Sequence, residues 1–167
     1  MTDPSRTIGS ATRAIIRQLA PTQQNSVPIT AKEIFGGGRI SKQAMLHALG
    51  EGGGSRPAGF GAGGVGALAG FVMTVLNAVA CETLTSAVMA ETGAARSWWR
   101  RRREHRALAT VVAPGGLDTP LPGVSAQEAE RIAARVLALA SDAGISAELG
   151  RRISELITAE LISATAR

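Results

Sequence analysis

The stretch that decides the fold is residues 67–93, ALAGFVMTVLNAVACETLTSAVMAETG. Its apolar residues recur at the three- and four-residue spacing of a helix, which predicts one long helix that ends near Gly93. The series is Leu68, Phe71, Val72, Val75, Leu76 and Val79, continued after a slip in phase by Leu84 and Val88. Because this helix is apolar around much of its circumference, we expect another chain to cover it, in a dimer or a heterodimer.

Shorter segments flank the long helix. The glycine-rich residues 50–66 predict a flexible loop before it, since glycine holds no regular element well. A short helix is expected over 40–49 on the far side of that loop. After the long helix, the sequence indicates a basic loop at 96–103 and a short helix over 103–112 that is closed by Pro114-Gly-Gly. Residues 39–116 thus form one helical unit in a short–long–short order.

The first 38 residues are expected to form an N-terminal arm with short helices. Residues 11–20 place apolar and basic side chains on separate faces of a helix, which Pro21 ends. Thr30 and Glu33 have the spacing of a capping box, so a helical turn is predicted to begin at Thr30. Residues 36–38 are all glycine and stop it.

The C-terminal residues 124–167 are predicted to form a helical hairpin after a linker at 117–123. Ser125 and Glu128 match a capping box that opens the first helix, and Gly144 is the residue type that ends one. Ser146 is placed to cap the second helix. The apolar stripes are Ile132, Val136, Leu139 and Ala140, then Leu149, Ile153, Leu156, Ile157 and Leu161. No long alternating segment occurs in the sequence, so the fold class is all-α.

The charge of the chain is uneven along its length. The net charge is +5 over 167 residues, but residues 1–110 carry 13 basic and 6 acidic groups, whereas residues 111–167 carry 5 and 7. Sixteen of the 18 basic residues are arginine, whose planar guanidinium suits phosphate. The codon usage of a GC-rich genome would explain arginine over lysine, but it would not explain why the arginines cluster.

The densest cluster is the candidate site, and double-stranded DNA is the predicted partner. Six of the eleven residues 96–106 are arginine, and each phosphate they neutralise releases condensed counterions. Trp98 and Trp99 could stack on bases or pack into the core. The predicted nucleic-acid-binding residues are Arg96, Arg100, Arg101, Arg102, Arg103, Arg106 and Arg56. A solvated basic loop over two core tryptophans is the simpler alternative.

Catalysis, cofactors and metals are not predicted. His47 and His105 have no local partner that suggests a catalytic arrangement, and His105 is expected to be one more surface cation. Cys81 is the single cysteine, so no intramolecular disulfide can form, and its apolar neighbours indicate a buried, unreactive thiol. The glycines of 61–66 lack a preceding strand and the lysine of a phosphate-binding loop.

A membrane surface is a weaker alternative partner. No charge occurs between Arg56 and Glu82, and Trp-Trp and four arginines follow. However, the strongly apolar part, 68–81, is about 14 residues, short of the roughly 20 that a span needs. The N-terminus has no secretory pattern, so we expect the protein inside a cell, in a nucleus or nucleoid, or in a virion.

The order of these elements resembles the short–long–short helices of the histone fold. Residues 61–71, GAGGVGALAGF, and 81–96, CETLTSAVMAETGAAR, are similar to the entry and the long central helix of a core histone. Residues 134–167 resemble the first helix, first loop and long helix of a second core histone, so the C-terminal hairpin could be a partial second unit, as in viral histone doublets. The tail ends before the basic loop and third helix of that unit.

The resemblance implies an architectural protein that compacts DNA. A histone-like pair presents arginines and helix N-termini to phosphates along the minor groove and reads shape and charge without contacting base edges. In that case Arg96 and Arg100–Arg103 would lie in the second loop of the unit, with Arg56 near the first. A structural protein of a larger assembly, such as a virion, is the other alternative.

Overall fold

The structure, a computed structural model, describes residues 6–51, 67–82 and 98–163, without the side chains of 98–100 and 163. These residues contain helices and no strand, so the all-α prediction is confirmed. The seven helices of the described residues are α1 Ile8–Leu19, α2 Val27–Phe35, α3 Gly38–Ala48, α4 Ala67–Ala80, α5 Trp98–Leu108, α6 Ala126–Asp142 and α7 Ala147–Ser163. Short 3₁₀ helices span Pro21–Ser26 and Gly116–Asp118.

Helix α4 lies at the centre of the molecule. Every residue from Leu68 to Val79 is buried, and α4 contacts α1, α2, α3 and α7 of the same chain. An apolar helix in water must bury its whole circumference, and here four helices do so without a second protein. The exposed apolar surface that led us to expect a second chain on this helix is therefore not present. The dimer or heterodimer itself stays a prediction.

The expectation of one continuous helix over 67–93 is wrong. Helix α4 ends at Ala80, and Glu82 has a φ of 57°, in the left-handed region that ends a helix. The break coincides with the slip in phase of the apolar series, where Cys81, Glu82 and Thr83 replace apolar residues. Residues 83–93 lie outside the described residues. The long central helix was the most specific part of the resemblance to core histones, and its described part has 14 residues.

Two other boundaries also differ from the sequence-based predictions. Thr30 does not begin a helix: it is a buried residue inside α2, which starts three residues earlier with Pro28 in its first turn. The stop at the three glycines is confirmed, since α2 ends before Gly36 and the φ values of Gly37 and Gly38 are 83° and 69°.

The C-terminal hairpin has the predicted local signals. The Ser125 hydroxyl accepts from the Glu128 backbone N–H at 3.3 Å, and the Glu128 carboxylate accepts from the Ser125 N–H at 2.8 Å. At the other end of α6, Gly144 has a φ of 75°, and the Ile145 N–H donates to the Ala140 carbonyl at 2.9 Å. Most residues of the predicted apolar stripes are buried, and α6 and α7 pack against each other.

All the helices contribute to one hydrophobic core, including those of the predicted arm. The backbone before α1 pairs with residues 119–121: the Leu121 N–H donates to the Arg6 carbonyl at 2.9 Å and the Ile8 N–H to the Thr119 carbonyl at 3.0 Å. Arg6 also bonds to Glu160 of α7. The division into arm, central unit, linker and hairpin stays a prediction about the chain's organisation.

Replacing Ser125 with alanine is expected to lower the free energy of unfolding by about 1 kcal/mol at neutral pH, because the first turn of α6 loses its cap. The Ser125 backbone N–H, followed by its hydroxyl, holds the pKa of Glu128 below its usual range. A lowered pKa stabilises the fold above the unfolded-state pKa and loses that effect as the pH falls through the folded-state pKa. Urea denaturation of the wild type and of Ser125→Ala would therefore show a smaller difference in the free energy of unfolding at acidic pH than at neutral pH.

Ser146→Ala is the matched control. The Ser146 hydroxyl accepts from the Leu149 N–H at 3.3 Å and so caps α7, but Leu149 occupies the position of a capping-box glutamate. We expect Ser146→Ala to lower the free energy of unfolding by a similar amount at neutral pH, and by the same amount at acidic pH. A Ser125→Ala deficit that is the same at both pH values would contradict the role given to Glu128.

Candidate nucleic-acid interface

The arginine-rich segment is a helix for most of its length, not the loop that was predicted. Helix α5 begins at Trp98 and ends at Leu108, whereas a helix from 103 to 112 was expected. Arginine is a good helix former, so a run of four does not by itself interrupt a helix. The consequence is that the arginines occupy defined directions around a helix axis.

Three exposed arginines of α5 lie together on one face of the helix. Arg102, Arg103 and Arg106 are exposed, whereas His105, Leu108 and Ala109 are buried on the opposite side. Arg106 lies three residues after Arg103 and four after Arg102, the spacings that bring side chains together on a helix. We call these three residues the arginine face.

The other predicted site residues are placed differently. Arg101 is on α5 but turns towards α6, where its Nη1 lies 3.4 Å from Asp142 Oδ1. The backbone of Arg100 is in α5, and its side chain lies outside the described residues. Arg56 and Arg96 also lie outside them. The described part of the chain therefore brings together three of the seven predicted residues, with a fourth at their edge.

A histidine beneath the arginine face connects α5 to two other parts of the molecule. His105 is 4% exposed, so its interpretation as a surface cation is wrong. Its Nδ1 lies 3.1 Å from Glu51 Oε1, and its Nε2 lies 3.2 Å from Asp142 Oδ2. Glu51 follows α3 and Asp142 ends α6, so one imidazole links three elements.

The close approach of the α3 end to α6 makes this link possible. Gly50 has a φ of 87°, and a Cβ atom on it would lie 2.6 Å from the Asp142 carbonyl oxygen. Only glycine accommodates both the left-handed backbone and the contact. Glu51, the next residue, is thereby brought to His105.

An ion pair between a buried arginine and a half-buried glutamate holds the same side of α5. Arg135 of α6 is 3% exposed, and its Nη2 contacts Glu104 Oε1. The inner side of α5 is thus attached to α6 through Arg101, Glu104 and His105, all by charged or polar contacts. Opposite charges on α5 and α6 attract each other, so these contacts favour the rotation of α5 that turns Arg101, Glu104 and His105 towards α6.

Asn77 positions the chain that follows α5. This buried residue of α4 donates from Nδ2 to the Val111 carbonyl at 2.8 Å and accepts the Ala113 N–H on Oδ1 at 2.8 Å. The side-chain amide pairs with the backbone of 111–113 as a neighbouring strand would. The C-terminal end of α5 is therefore tied to the central helix.

Sequence reasoning did not identify Glu51, Asn77, Arg135 or Asp142. The only signal in the sequence was negative: Asn77 interrupts an apolar run, and Arg135 lies beside the apolar positions Ile132 and Val136 of α6. A polar residue at a core position needs a partner, and that requirement indicates a long-range contact without identifying it.

The position of Cys81 differs from the one expected from the sequence. Cys81 is half-buried just beyond the end of α4, not in mid-helix as expected, and burial raises the pKa of its thiol, which disfavours the reactive thiolate. Among residues 6–51, 67–82 and 98–163, no group of three His, Cys, Asp or Glu residues could hold a metal ion.

Comparisons of the chain with protein families, with curated proteins and with solved structures found no match. In the part of the chain that the structure describes, no helix combines the length and the apolar character that crossing a membrane requires.

Proposed function

We propose that the protein binds double-stranded DNA without sequence preference, through the arginine face of α5, and that it acts as an architectural protein. The observation that carries the proposal is the arrangement of Arg102, Arg103 and Arg106 side by side on one exposed helix face. The guanidinium group is a planar donor that pairs with phosphate oxygens and keeps its charge at any cellular pH.

The electrostatics of the arginine face favour a polyanion as the partner. Like charges three and four residues apart destabilise a helix by a few tenths of a kcal/mol per pair. Phosphates of a nucleic-acid backbone would remove this repulsion and release counterions. The contacts of Glu104 and His105 hold the inner side of α5, so the arginine face stays on the outer side, which reduces the ordering needed on binding.

The binding mode is backbone recognition. The arginine face would contact phosphates along the backbone, and contacts of that kind position a protein without selecting a sequence. The resemblance to core histones stays a prediction, and the proposed binding does not depend on a histone-like pair.

The test is the triple variant Arg102→Ala, Arg103→Ala, Arg106→Ala. We expect its affinity for duplex DNA to fall on the order of 10²-fold at about 0.1 M salt, equally for two unrelated sequences, and the slope of log K against log salt to fall by about three units. Fluorescence anisotropy of labelled duplexes over a salt series measures both. Helical content should not change, because exposed positions contribute little to stability.

Arg13→Ala, Arg17→Ala, Arg151→Ala is the matched control. It removes the same charge from exposed positions on α1 and α7. We expect DNA affinity to change much less than in the α5 variant. Equal losses in the two variants would indicate that net charge, and not the arginine face, governs binding. If the wild-type protein bound anionic vesicles but not duplex DNA, the proposal would be wrong, and the partner of the arginine face would be a membrane surface.

A further inference from the structure

We infer that Asp142 withholds Arg101 from DNA, so that the fold itself limits the affinity of α5; this inference rests on the proposed DNA binding. Arg101 lies on the same helix as the arginine face and is 44% exposed at its side chain, so it could reach a phosphate. Its guanidinium instead pairs with Asp142. Asp142 would thus act as an internal competitor for one DNA contact.

The Asp142 carboxylate lies between a histidine and an arginine. Oδ2 lies 3.2 Å from His105 Nε2, and Oδ1 lies 3.4 Å from Arg101 Nη1. His105 is in turn held by Glu51 through its other ring nitrogen at 3.1 Å. Because the Asp142 side chain is only 17% exposed and lies against His105, its carboxylate has fewer orientations than that of a fully exposed aspartate, so pairing with it costs less conformational freedom.

The charge balance of the cluster opposes the release of Arg101. The side chains of Asp142 and Glu51 are 17% and 19% exposed, and they share one imidazole. If Arg101 moved to a phosphate, two partly buried carboxylates would remain on that imidazole alone. Uncompensated charge in a partly buried position is unfavourable, so the cluster retains the guanidinium.

Asp142 also acts on the DNA directly. A phosphate that approached Arg101 in its present position would approach the Asp142 carboxylate as well, and the two anions would repel each other. Arg101 therefore adds no net phosphate contact in the wild-type protein, although it has the same chemistry as Arg103 on the same helix.

The experiment compares DNA binding by wild type and Asp142→Asn over a salt series. Releasing Arg101 should add one phosphate contact, so the salt slope should steepen by about one unit and the affinity should rise about eightfold at about 0.1 M salt. Adding Arg101→Ala to this variant should abolish the gain. A folded Asp142→Asn protein, with wild-type circular dichroism, that binds DNA no more tightly than wild type overturns the inference.

A second pair of variants decides the matter even if Asp142→Asn does not fold. Arg101→Ala and Arg103→Ala remove the same charge from the same helix, but we expect only Arg103→Ala to lower the salt slope, by about one unit. Equal reductions would overturn the inference while leaving the proposed DNA binding intact. Absence of DNA binding by the wild type would instead reject the proposed function itself.

Discussion

Replacing Asn77 with alanine is expected to lower the free energy of unfolding by about 3 to 5 kcal/mol. The variant leaves the Val111 carbonyl and the Ala113 N–H without the amide that now satisfies them. The buried Ala113 N–H without a partner costs about 1 to 3 kcal/mol, the part-buried Val111 carbonyl costs less, and the missing side-chain atoms leave a cavity beside α4. Urea denaturation followed by circular dichroism measures the loss.

Thr74→Val is the control for this prediction. Thr74 is equally buried on α4, but its hydroxyl donates at 2.8 Å to the Gly70 carbonyl within the same helix. That carbonyl keeps its helical hydrogen bond when the hydroxyl is removed, so a loss of less than about 1 kcal/mol is expected. If the two variants lose similar amounts of stability, the hydrogen bonds from Asn77 to residues 111 and 113 do not have the importance given to them here.

The second large effect is expected at the buried pair of Arg135 and Glu104. Replacing Arg135 with methionine should lower the free energy of unfolding by about 3 to 5 kcal/mol, because a carboxylate then stays in the interior without its cation. Glu104 is 16% exposed at its side chain, so water compensates little of this charge. Thermal and urea unfolding of the single variant measure the effect.

The double variant Arg135→Met, Glu104→Leu separates the charge from the packing. Replacing both members of a buried pair with apolar residues is often neutral or stabilising, so most of the lost stability should return. If the double variant is as unstable as Arg135→Met, the loss of stability comes from the packing of the arginine side chain and not from the unpaired carboxylate.

These two sites explain why α5 was the least accurately predicted element. Several of its described contacts are charged, through Arg101, Glu104 and His105, so the apolar periodicity that defined α6 and α7 is weak there. A run of arginines followed by Glu104 and His105 has the composition of a solvated loop. What distinguishes an anchored helix from such a loop is the set of residues that contact it, Arg135 and Asp142 of α6 and Glu51 after α3.

The sequence by itself determined the features whose causes lie within a few residues. The all-α class, the capping box of Ser125 and Glu128, the end of α6 at Gly144 and the stop at Gly36 all depend on neighbours along the chain. The apolar stripes of the C-terminal hairpin are also local, since they repeat every three or four residues.

Tertiary structure alone decided which arginines of α5 share an exposed face and what holds the inner side of that helix. His105 and Glu51 are 54 residues apart, Arg101 and Asp142 are 41 apart, and Asn77 and Val111 are 34 apart. Contacts over such separations depend on how whole helices pack, and no short-range spacing encodes them. For the same reason the sequence could not predict that α4 is buried by helices of its own chain. Its apolar surface must be buried against other helices, but helices of the same chain and helices of a second protein can both do this if their shape fits.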